Sequence, residues 1–287
     1  MSLIVICPNP FRDIKLELTI KARDMLENAG FQTAICPVFG ADQPDAIPAG
    51  IKTSTWDEVI ADASLFIIIG GDGTVLNTAR ALDHASVPLL GVNLGTKGFM
   101  ASLEPENIDK ILDAAAGNFI PSPRMMIDVQ LVRNGEVIYS ECGLNDAVIH
   151  GMGDCIKLTA WCNGDRIMSF SGDGIVVASP TGSTGYSMSA GGPIVEPEAK
   201  NIIVSPICAH VIGAKNFVLS PDRKITVKAE KIHDRRAFLS IDGNDGIEII
   251  NDDIVIVQKS EKYANLIHMG MKSFYDLTFD KLLYKNI

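Results

Sequence analysis

The chain has 287 residues, of which 47% are hydrophobic and 21% charged. This is the composition of a folded protein and excludes a disordered chain, and the length predicts about two domains. Acidic residues outnumber basic ones by 35 to 25, the formal net charge is −10 and aromatic residues make up 6%. That balance argues against nucleic acid and anionic membrane surfaces as partners, but a few backbone N–H groups can still hold a small anion.

The cysteine pattern and the apolar segments favour a cytoplasmic protein. The six cysteines show no Cys-x-x-Cys spacing, which favours reduced, buried thiols over a metal or redox site. The first apolar run, residues 3–7, has no basic segment before it and predicts a β-strand, not a signal peptide. The longest stretch without charge, residues 174–195, is interrupted by glycines and prolines, so we expect no spanning helix there.

Strand and helix patterns alternate over the first 117 residues. Short apolar runs typical of buried strands occur at residues 3–7, 31–38, 65–69 and 88–92. Helical patterns lie at residues 14–26, 75–82 and 108–117. Because strands that alternate with helices form parallel sheets with right-handed crossovers, we predict an α/β, Rossmann-like domain over residues 1–120.

The pattern changes after residues 121–123, where strand-like runs follow one another every 8–14 residues. These runs are residues 126–132, 137–140, 147–150, 156–161, 167–170, 175–178, 202–204, 217–219, 225–228, 237–241, 247–250 and 254–258. Asn134-Gly135 and Asn163-Gly164 are typical two-residue turns of β-hairpins. We predict an all-β sandwich over residues 121–258 and a C-terminal tail, 259–287, that packs back on the first domain.

A glycine-rich turn follows the apolar strand 65–69 and precedes a helix. It consists of Gly70, Gly71, Asp72, Gly73 and Thr74, at the end of a strand where open α/β sheets collect ligands. We assign the glycines and Thr74 to phosphate binding, because such a turn lets backbone N–H groups approach an anion. A carboxylate at its centre suits a general base or a magnesium anchor in phosphoryl transfer. The alternative is that Asp72 only caps the helix.

Asn145 and Asp146 interrupt a strand-like run. An amide next to a carboxylate suits the paired hydroxyls of a ribose, and the amide can also reach a base edge. Taken alone, the dipeptide is equally typical of a turn or a bulge.

Hydroxyl-bearing and small residues cluster between positions 172 and 193. The cluster contains Asp173 and the segment 179–187, which reads Ser-Pro-Thr-Gly-Ser-Thr-Gly-Tyr-Ser. Its backbone N–H groups and the ring of Tyr186 can approach a flat heterocycle and a phosphate closely. A flexible serine-rich loop is the alternative.

Two further segments are candidate parts of these sites. Residues 91–99 form a second strand with a glycine-rich turn, and residues 242–244 follow a strand, either as a binding segment or as a plain hairpin turn. The chain has no Walker A loop, no Gly-x-Ser-x-Gly elbow and no histidine spacing typical of a metal site. We therefore predict no metal site built from protein ligands.

In this order the motifs resemble the NAD kinase family. The family pattern has GGDGT after a strand, then G-x-N-x-G-x-x-G-F, an Asn-Glu pair, a DG…TPTGSTAY…SAGGP block and a late Asp-Gly turn. The counterparts here are residues 70–74, 91–99, 145–146, 173–193 and 242–243, and the resemblance runs from about Leu3 to Leu282. GGDGT is shared with lipid kinases and, in related form, phosphofructokinases, whereas segment 181–186 followed by 189–193 is more specific.

The resemblance implies transfer of a phosphoryl group from ATP, or polyphosphate, to the 2′-hydroxyl of the adenosine ribose of NAD, giving NADP, with a divalent cation such as Mg²⁺. It implies that Asp72 activates that hydroxyl and that Asn145 and Asp146 hold the adenosine. The other implied NAD-binding residues are Gly73, Asp173, Thr181, Ser183, Thr184, Gly185, Tyr186 and Asn244. It also implies an α/β domain plus a β-sandwich, with the active site between domains and between subunits of a homodimer or homotetramer.

The chain departs from the family pattern at several positions. Asp146 replaces the usual Glu and is one methylene shorter, so we expect its hydroxyl contact to be longer or bridged by water. Gly185 replaces Ala and Asn244 replaces Gln. Lys97 replaces an apolar residue and adds a cation near the expected phosphate path, and Lys215 replaces an Arg.

Two other functions fit parts of the pattern. A lipid kinase of the same superfamily is expected to lack segment 181–186, which is present here. A non-catalytic NAD-binding regulator is expected to have lost Asp72, which is also present.

Overall fold

The computed structural model describes residues 2–39, 46–82, 86–95, 98–153, 155–230, 232 and 235–283. The chain forms two compact units. Unit 1 comprises Met1–Pro123 and Ala264–Ile287, and unit 2 comprises Arg124–Tyr263.

The described strands, in chain order, are β1 (Leu3–Pro8), β2 (Gln32–Ile35), β3 (Ala63–Gly70), β4 (Leu89–Asn93), β5 (Ile120–Arg133), β6 (Glu136–Gly143), β7 (Asp146–Gly151), β8 (Ile156–Cys162), β9 (Asp165–Gly172), β10 (Gly174–Ala178), β11 (Ile202–Ile207), β12 (Phe217–Leu219), β13 (Ile225–Glu230), β14 (Ala237–Ile241), β15 (Ile247–Ile249) and β16 (Ile254–His268). The described α-helices are α1 (Glu17–Asn28), α2 (Trp56–Val59), α3 (Asp72–Ala81), α4 (Ile111–Ala115), α5 (Tyr186–Ser189) and α6 (Phe274–Thr278). Short 3₁₀ helices occur at Ile14–Leu16, Pro105–Lys110 and Thr181–Thr184, and Phe279–Leu283 forms a π-helical turn.

Unit 1 is built on a parallel sheet with the strand order β2-β1-β3-β4-β16, of which β16 contributes its last residues. β1 pairs in parallel with β2 and β3, and β3 pairs in parallel with β4. Residues 65–70 of β3 are all buried, as expected for a parallel sheet covered on both faces. The predicted α/β domain with a parallel sheet is confirmed.

Helix α1 begins later than the sequence pattern predicts. Lys15 and Leu16 have φ angles of 59° and 54°, in the left-handed region that interrupts a helix. The buried carboxylate of Asp13 accepts hydrogen bonds from the amides of Leu18 and Thr19, at 3.0 and 2.9 Å. These amides lie in the first turn of the helix, where N–H groups lack helical partners, so Asp13 stabilises the new start.

Unit 2 contains, within its described residues, two antiparallel sheets that enclose an aliphatic core. One has the order β12-β11-β10-β7-β14-β15, and the other contains β16-β13-β8-β9 with β5 and β6. Both predicted hairpin turns are confirmed: Asn134-Gly135 joins β5 to β6 and Asn163-Gly164 joins β8 to β9, all four with positive φ. Two successive positive φ angles define the type I′ turn that suits a twisted hairpin. The predicted β-sandwich is confirmed.

Strand β16 continues ten residues beyond the predicted end at Gln258, to His268. Its first part pairs with β13 in unit 2, and Leu266 pairs with Leu89 of β4 in unit 1. The short helix α2 was also missed; Thr55 and Glu58 form a capping box at its start. No helix in the described ranges is long and apolar enough to cross a membrane.

Candidate active site

The glycine-rich turn lies between β3 and α3 in unit 1, as predicted. Gly71 is the N-cap residue of α3 and Asp72 is its first helical residue. A Cβ on Gly70 would lie 2.3 Å from Thr74 Oγ1, so only glycine fits there. The turn therefore places Asp72 at the carboxyl end of a buried strand and at the amino end of a helix.

The carboxylate of Asp72 is held by the backbone of a second loop. Oδ2 accepts the N–H of Phe99 and Oδ1 accepts the N–H of Met100, both at 3.0 Å. The cap residue of the helix is Gly71, which has no side chain, so the alternative that Asp72 serves as the helix cap is wrong. Each carboxylate oxygen keeps acceptor capacity for another partner.

The remaining residues of the turn differ in their surroundings. The amides of Asp72 and Gly73 lie in the first turn of α3, where the helix offers them no carbonyl acceptor. The amide of Thr74 donates to the carbonyl of Gly71 at 2.9 Å, and its buried hydroxyl accepts from Asn9 Nδ2 at 3.3 Å. Thr74 thus braces the turn, while Asp72 and Gly73 present the N–H groups suited to an anion.

Two polar residues lie near this turn: Arg12, which was missed from the sequence, and Asn93, which belongs to the predicted candidate segment 91–99. Arg12 Nη1 donates to the carbonyl of Leu94 at 3.4 Å, and a Cβ on Gly71 would lie 3.8 Å from Arg12 Nε. Asn93, at the end of β4, is buried and accepts the N–H of Gly95 through Oδ1 at 2.9 Å. Arg12 follows the carboxyl end of β1, and Asn93 is the last residue of β4. Because ligands of open α/β sheets bind at this edge, the position after a strand was the signal that could have indicated Arg12. Lys97, which we expected near the phosphate path, lies outside the described residues.

In unit 2, residues 144–146 form a loop whose backbone is held by Asp242. The carboxylate of Asp242 accepts the N–H groups of Leu144, Asn145 and Asp146 at 2.7, 2.7 and 3.0 Å. The amide of Asp242 in turn donates to the carbonyl of Asp146 at 3.0 Å. The segment 242–244 is thus more than a plain hairpin turn, and its first residue shapes the Asn145-Asp146 site.

Asp146 is 6% exposed. Burial, and secondarily the charge of Asp242, raises the pKa of Asp146 to about 7. Two buried side-chain atoms of the predicted NAD-binding residues have no hydrogen-bond partner among the described residues: Oδ1 of Asn145, the residue before Asp146, and Oγ1 of Thr181, in the segment that follows β10. Buried polar atoms are normally hydrogen-bonded, so this pair indicates a place for a ligand.

The segment 179–186 packs against the 144–146 loop. The amide of Ser179 donates to the carbonyl of Asn145 at 2.8 Å, and a Cβ on Gly182 would lie 2.2 Å from that oxygen. At Gly185 a Cβ would lie 3.5 Å from Asn145 Nδ2 and 3.7 Å from Asp146 Oδ2. The structure therefore brings Gly182, which follows Thr181, and Gly185 close to Asn145 and Asp146, and the binding of NAD by these residues stays a prediction.

The other predicted residues of this segment have partners of their own or are exposed. Ser183 is buried, and its hydroxyl donates to the carbonyl of Val195 at 3.1 Å and accepts the amide of Val195 at 3.0 Å. Thr184 Oγ1 donates to the carbonyl of Thr181 at 3.3 Å. Tyr186 is 45% exposed, which leaves its ring available for stacking.

Asp173 and Asn244 do not join this cluster. Asp173 directly precedes β10, whose last residue, Ala178, pairs with Asp146; five residues of extended chain span about 17 Å. Asn244 Oδ1 accepts the amides of Ile241 and Gly246, and its Nδ2 donates to Glu141 at 2.9 Å. The side chain of Asn244 thus stabilises its own turn.

An aspartate at the glycine-rich turn of a parallel α/β unit, followed in the chain by a β-sandwich, is the arrangement expected of a nucleotide-dependent phosphotransferase. The comparisons with known proteins agree. Residues 17–117 match the ATP-NAD kinase N-terminal domain and residues 144–269 the ATP-NAD kinase C-terminal domain. The chain belongs to the NAD kinase family.

Similar proteins match over nearly the whole chain. The NAD kinase of Ruminiclostridium cellulolyticum is 33% identical over 285 residues, which is 98% of each chain. That of Citrifermentans bemidjiense is 36% identical over 234 residues, covering 80% of this chain and 81% of the relative.

Solved structures share the fold. Yeast NADH kinase complexed with NADH aligns with a TM-score of 0.84 at 21% identity, covering 100% of this chain and 88% of that one. The NAD kinase from Archaeoglobus fulgidus in complex with ATP aligns with a TM-score of 0.74 at 24% identity, covering 98% of each chain.

Proposed function

We propose that the chain transfers the γ-phosphoryl group of ATP to the 2′-hydroxyl of the adenosine ribose of NAD, giving NADP and ADP. Membership of the NAD kinase family supports this reaction. The structural observation that carries it is that two buried side-chain atoms of the predicted NAD-binding residues, Asn145 Oδ1 and Thr181 Oγ1, have no hydrogen-bond partner among the described residues. Acceptors of this kind suit the hydroxyl and amino groups of an adenosine.

In unit 2, Asn145 and Asp146 hold the adenosine. Ionised Asp146 accepts hydrogen bonds from ribose hydroxyls, and the amide of Asn145 bonds to the ribose or to the base edge. The backbone at Gly185 lies close to both side chains, and the ring of Tyr186 stacks on the base. Asp242 supports this arrangement because it fixes the backbone of both residues.

In unit 1, Asp72 acts as the general base. The 2′-hydroxyl gives its proton to a free lone pair of the carboxylate while its oxygen bonds to the γ-phosphorus and the bond to ADP breaks. The amides of Phe99 and Met100 fix the orientation of the carboxylate. The amides of Asp72 and Gly73 bind phosphate oxygens of the donor; Gly70 and Gly71 give the turn its shape.

The described residues contain no group of three or more His, Cys, Asp or Glu side chains that could hold a metal ion. Asp72 stands alone as the carboxylate of the turn and is already bonded to two amides. The protein side chains therefore do not fit a magnesium cage. We infer that Mg²⁺ arrives bound to the phosphates of ATP, and we assign it no protein ligand.

We further propose a cytoplasmic homodimer or homotetramer. Asp173 lies about 17 Å along β10 from the adenosine site, so it serves a distant part of the dinucleotide or the site of a second copy. Val211, Ile212 and Val218 are 45%, 92% and 51% exposed, and such apolar side chains suit contact with another subunit. The buried free thiols of Cys7 and Cys36 suit a reducing compartment.

The test is a coupled assay with purified protein, Mg²⁺ and ATP, in which NADP formation is followed by a dehydrogenase specific for NADP. A parallel reaction contains diacylglycerol in place of NAD, and another contains polyphosphate in place of ATP. We expect NADP from NAD and no phosphorylated lipid. A phosphorylated lipid without NADP would make the chain a lipid kinase, and binding of NAD without turnover would make it a regulator.

A further inference from the structure

The C-terminal segment, defined here as residues 270–283, reaches the loop that holds Asp72 through an aromatic contact. The ring of Phe274, in α6, lies against the ring of Phe99, with centroids 6.4 Å apart and planes tilted by 54°. The amide of Phe99 is one of the two that bind the Asp72 carboxylate. A shift of the Phe274 ring would therefore move Phe99, and with it the N–H group that binds the carboxylate of Asp72.

A polar path runs from the same segment to the same loop. Lys281 Nζ lies 3.2 Å from Glu104 Oε1, and the side chain of Lys281 is only 12% exposed. Glu104 also accepts Asn93 Nδ2, at 3.2 Å from Oε2. Asn93 lies directly against Gly98, because a Cβ on Gly98 would be 2.6 Å from Asn93 Nδ2.

Both sets of contacts end at the backbone around Phe99, whose amide and that of Met100 bind the carboxylate of Asp72. Gly98 has a φ of +61°, in the left-handed region that glycine adopts without strain. Within the segment, Ser273 and Asp276 form a capping box at the start of α6, and Lys272 pairs with Asp280 at 2.8 Å. The C-terminal segment thus has hydrogen bonds of its own and contacts the loop at Phe99 and Glu104.

We propose that Phe274 and Lys281 are positioning residues for Asp72, and that the C-terminal segment keeps the amides of Phe99 and Met100 in place to orient the carboxylate. The inference rests on the proposed role of Asp72 as the base. Reacting groups displaced by a fraction of an ångström lose much of their rate, so loosening the loop lowers turnover. The loosened loop should not change the KM for NAD, because the residues proposed to hold the adenosine, Asn145 and Asp146, belong to unit 2.

The first experiment measures kcat and KM for NAD in Phe274→Ala and Lys281→Ala. We expect kcat to fall about tenfold in each, with KM within about twofold. The conservative variants Phe274→Tyr and Lys281→Arg keep the contacts and should keep most of the activity. Lys228→Ala is the matched control, since it breaks a lysine–aspartate pair in unit 2, with Asp252 at 2.7 Å, that contacts neither the C-terminal segment nor the loop, and its kcat should equal that of the wild type.

The second experiment measures amide hydrogen exchange of Phe99 and Met100, which needs no activity. We expect exchange about tenfold faster in Phe274→Ala and Lys281→Ala and unchanged in Lys228→Ala. Unchanged exchange in the first two variants overturns the inference, and so does faster exchange with wild-type kcat. A wild-type protein that forms no NADP overturns the proposed function instead, and this is seen before any variant is made.

Discussion

Asp146 and Asp242 are bonded to each other through their backbones and oppose each other through their charges. Asp242 Oδ1 accepts the amide of Asp146, and the amide of Asp242 donates to the carbonyl of Asp146, both at 3.0 Å. The charge of Asp242 adds to burial in raising the pKa of Asp146 to about 7. The geometry that builds the site thus makes ionisation of Asp146 unfavourable until a ligand compensates it.

Replacing Asp146 by Asn should stabilise the protein, and more so at high pH. The pKa of Asp146 is raised from 3.8 to about 7 in the folded state. Ionisation of Asp146 therefore destabilises the folded state, by an amount that grows as the pH rises from about 4 to 7 and reaches its full size above about pH 7. We expect Asp146→Asn to raise the free energy of unfolding by about 1–3 kcal/mol at pH 8 and by less at pH 5.5. Urea unfolding at the two pH values measures this.

Asp165→Asn, at an exposed position, is the control for Asp146→Asn and should show no gain. An equal gain in the free energy of unfolding of Asp146→Asn at both pH values would contradict the raised pKa of Asp146. The same variant should raise the KM for NAD, because the amide cannot accept two ribose hydroxyls as a carboxylate does.

Replacing Asp242 by Ala should weaken NAD binding without touching the ligand site directly. Three backbone N–H groups of the 144–146 loop lose their acceptor, which costs about 2–4 kcal/mol of stability. We expect the KM for NAD to rise at least tenfold while kcat changes less. Asp245→Ala, at an exposed position in the same turn, is the control. A wild-type KM in Asp242→Ala would show that the loop does not need this carboxylate.

Position 182 should tolerate only glycine. The methyl group of Gly182→Ala would lie 2.2 Å from the carbonyl oxygen of Asn145, so the loop must move, at a cost of about 1–3 kcal/mol. We expect a lower melting temperature and a raised KM for NAD. Gly213→Ala is the control, since nothing lies within 4 Å of its added methyl group. Equal effects of the two substitutions would contradict the packing described here.

The reaction should require a divalent cation. The turn carries one carboxylate and no Walker lysine, so the charge of ATP needs another neutralising group. We expect excess EDTA to abolish NADP formation and added Mg²⁺ to restore it. EDTA should leave the melting temperature unchanged, because no protein ligand set is assigned to the metal. Full turnover in EDTA would refute this requirement.

The local features of the fold could be predicted from the sequence because neighbouring residues determine them. The Asn134-Gly135 turn needs only two positive φ angles, and the turn at Asp72 needs only a strand, glycines and a helix start. The end of β16 could not be predicted, because its apolar pattern continues from one unit into the other.

The hydrogen bonds that hold the residues of the candidate site join distant parts of the chain. Asp242 binds amides 96 to 98 positions away, and Phe99 binds Asp72 across 27 positions. Sequence spacing carries no signal for such pairs. For the same reason the hydrogen bond of Asn244 to Glu141, across 103 positions, could not be foreseen, and the binding of NAD by Asn244 stays a prediction.

The most direct test of the account is kcat of Asp72→Asn at saturating NAD and ATP. Asn removes the proton acceptor and also exchanges one of the two oxygens that bind Phe99 and Met100 for an NH₂ group. General-base catalysis contributes about 10²–10⁴-fold, so we expect kcat to fall by a factor of about 10² or more. The KM for NAD should stay within a few-fold of wild type, because the adenosine residues lie in unit 2. A kcat within about threefold of wild type would contradict the role of Asp72 as the base, because a base normally contributes far more than that.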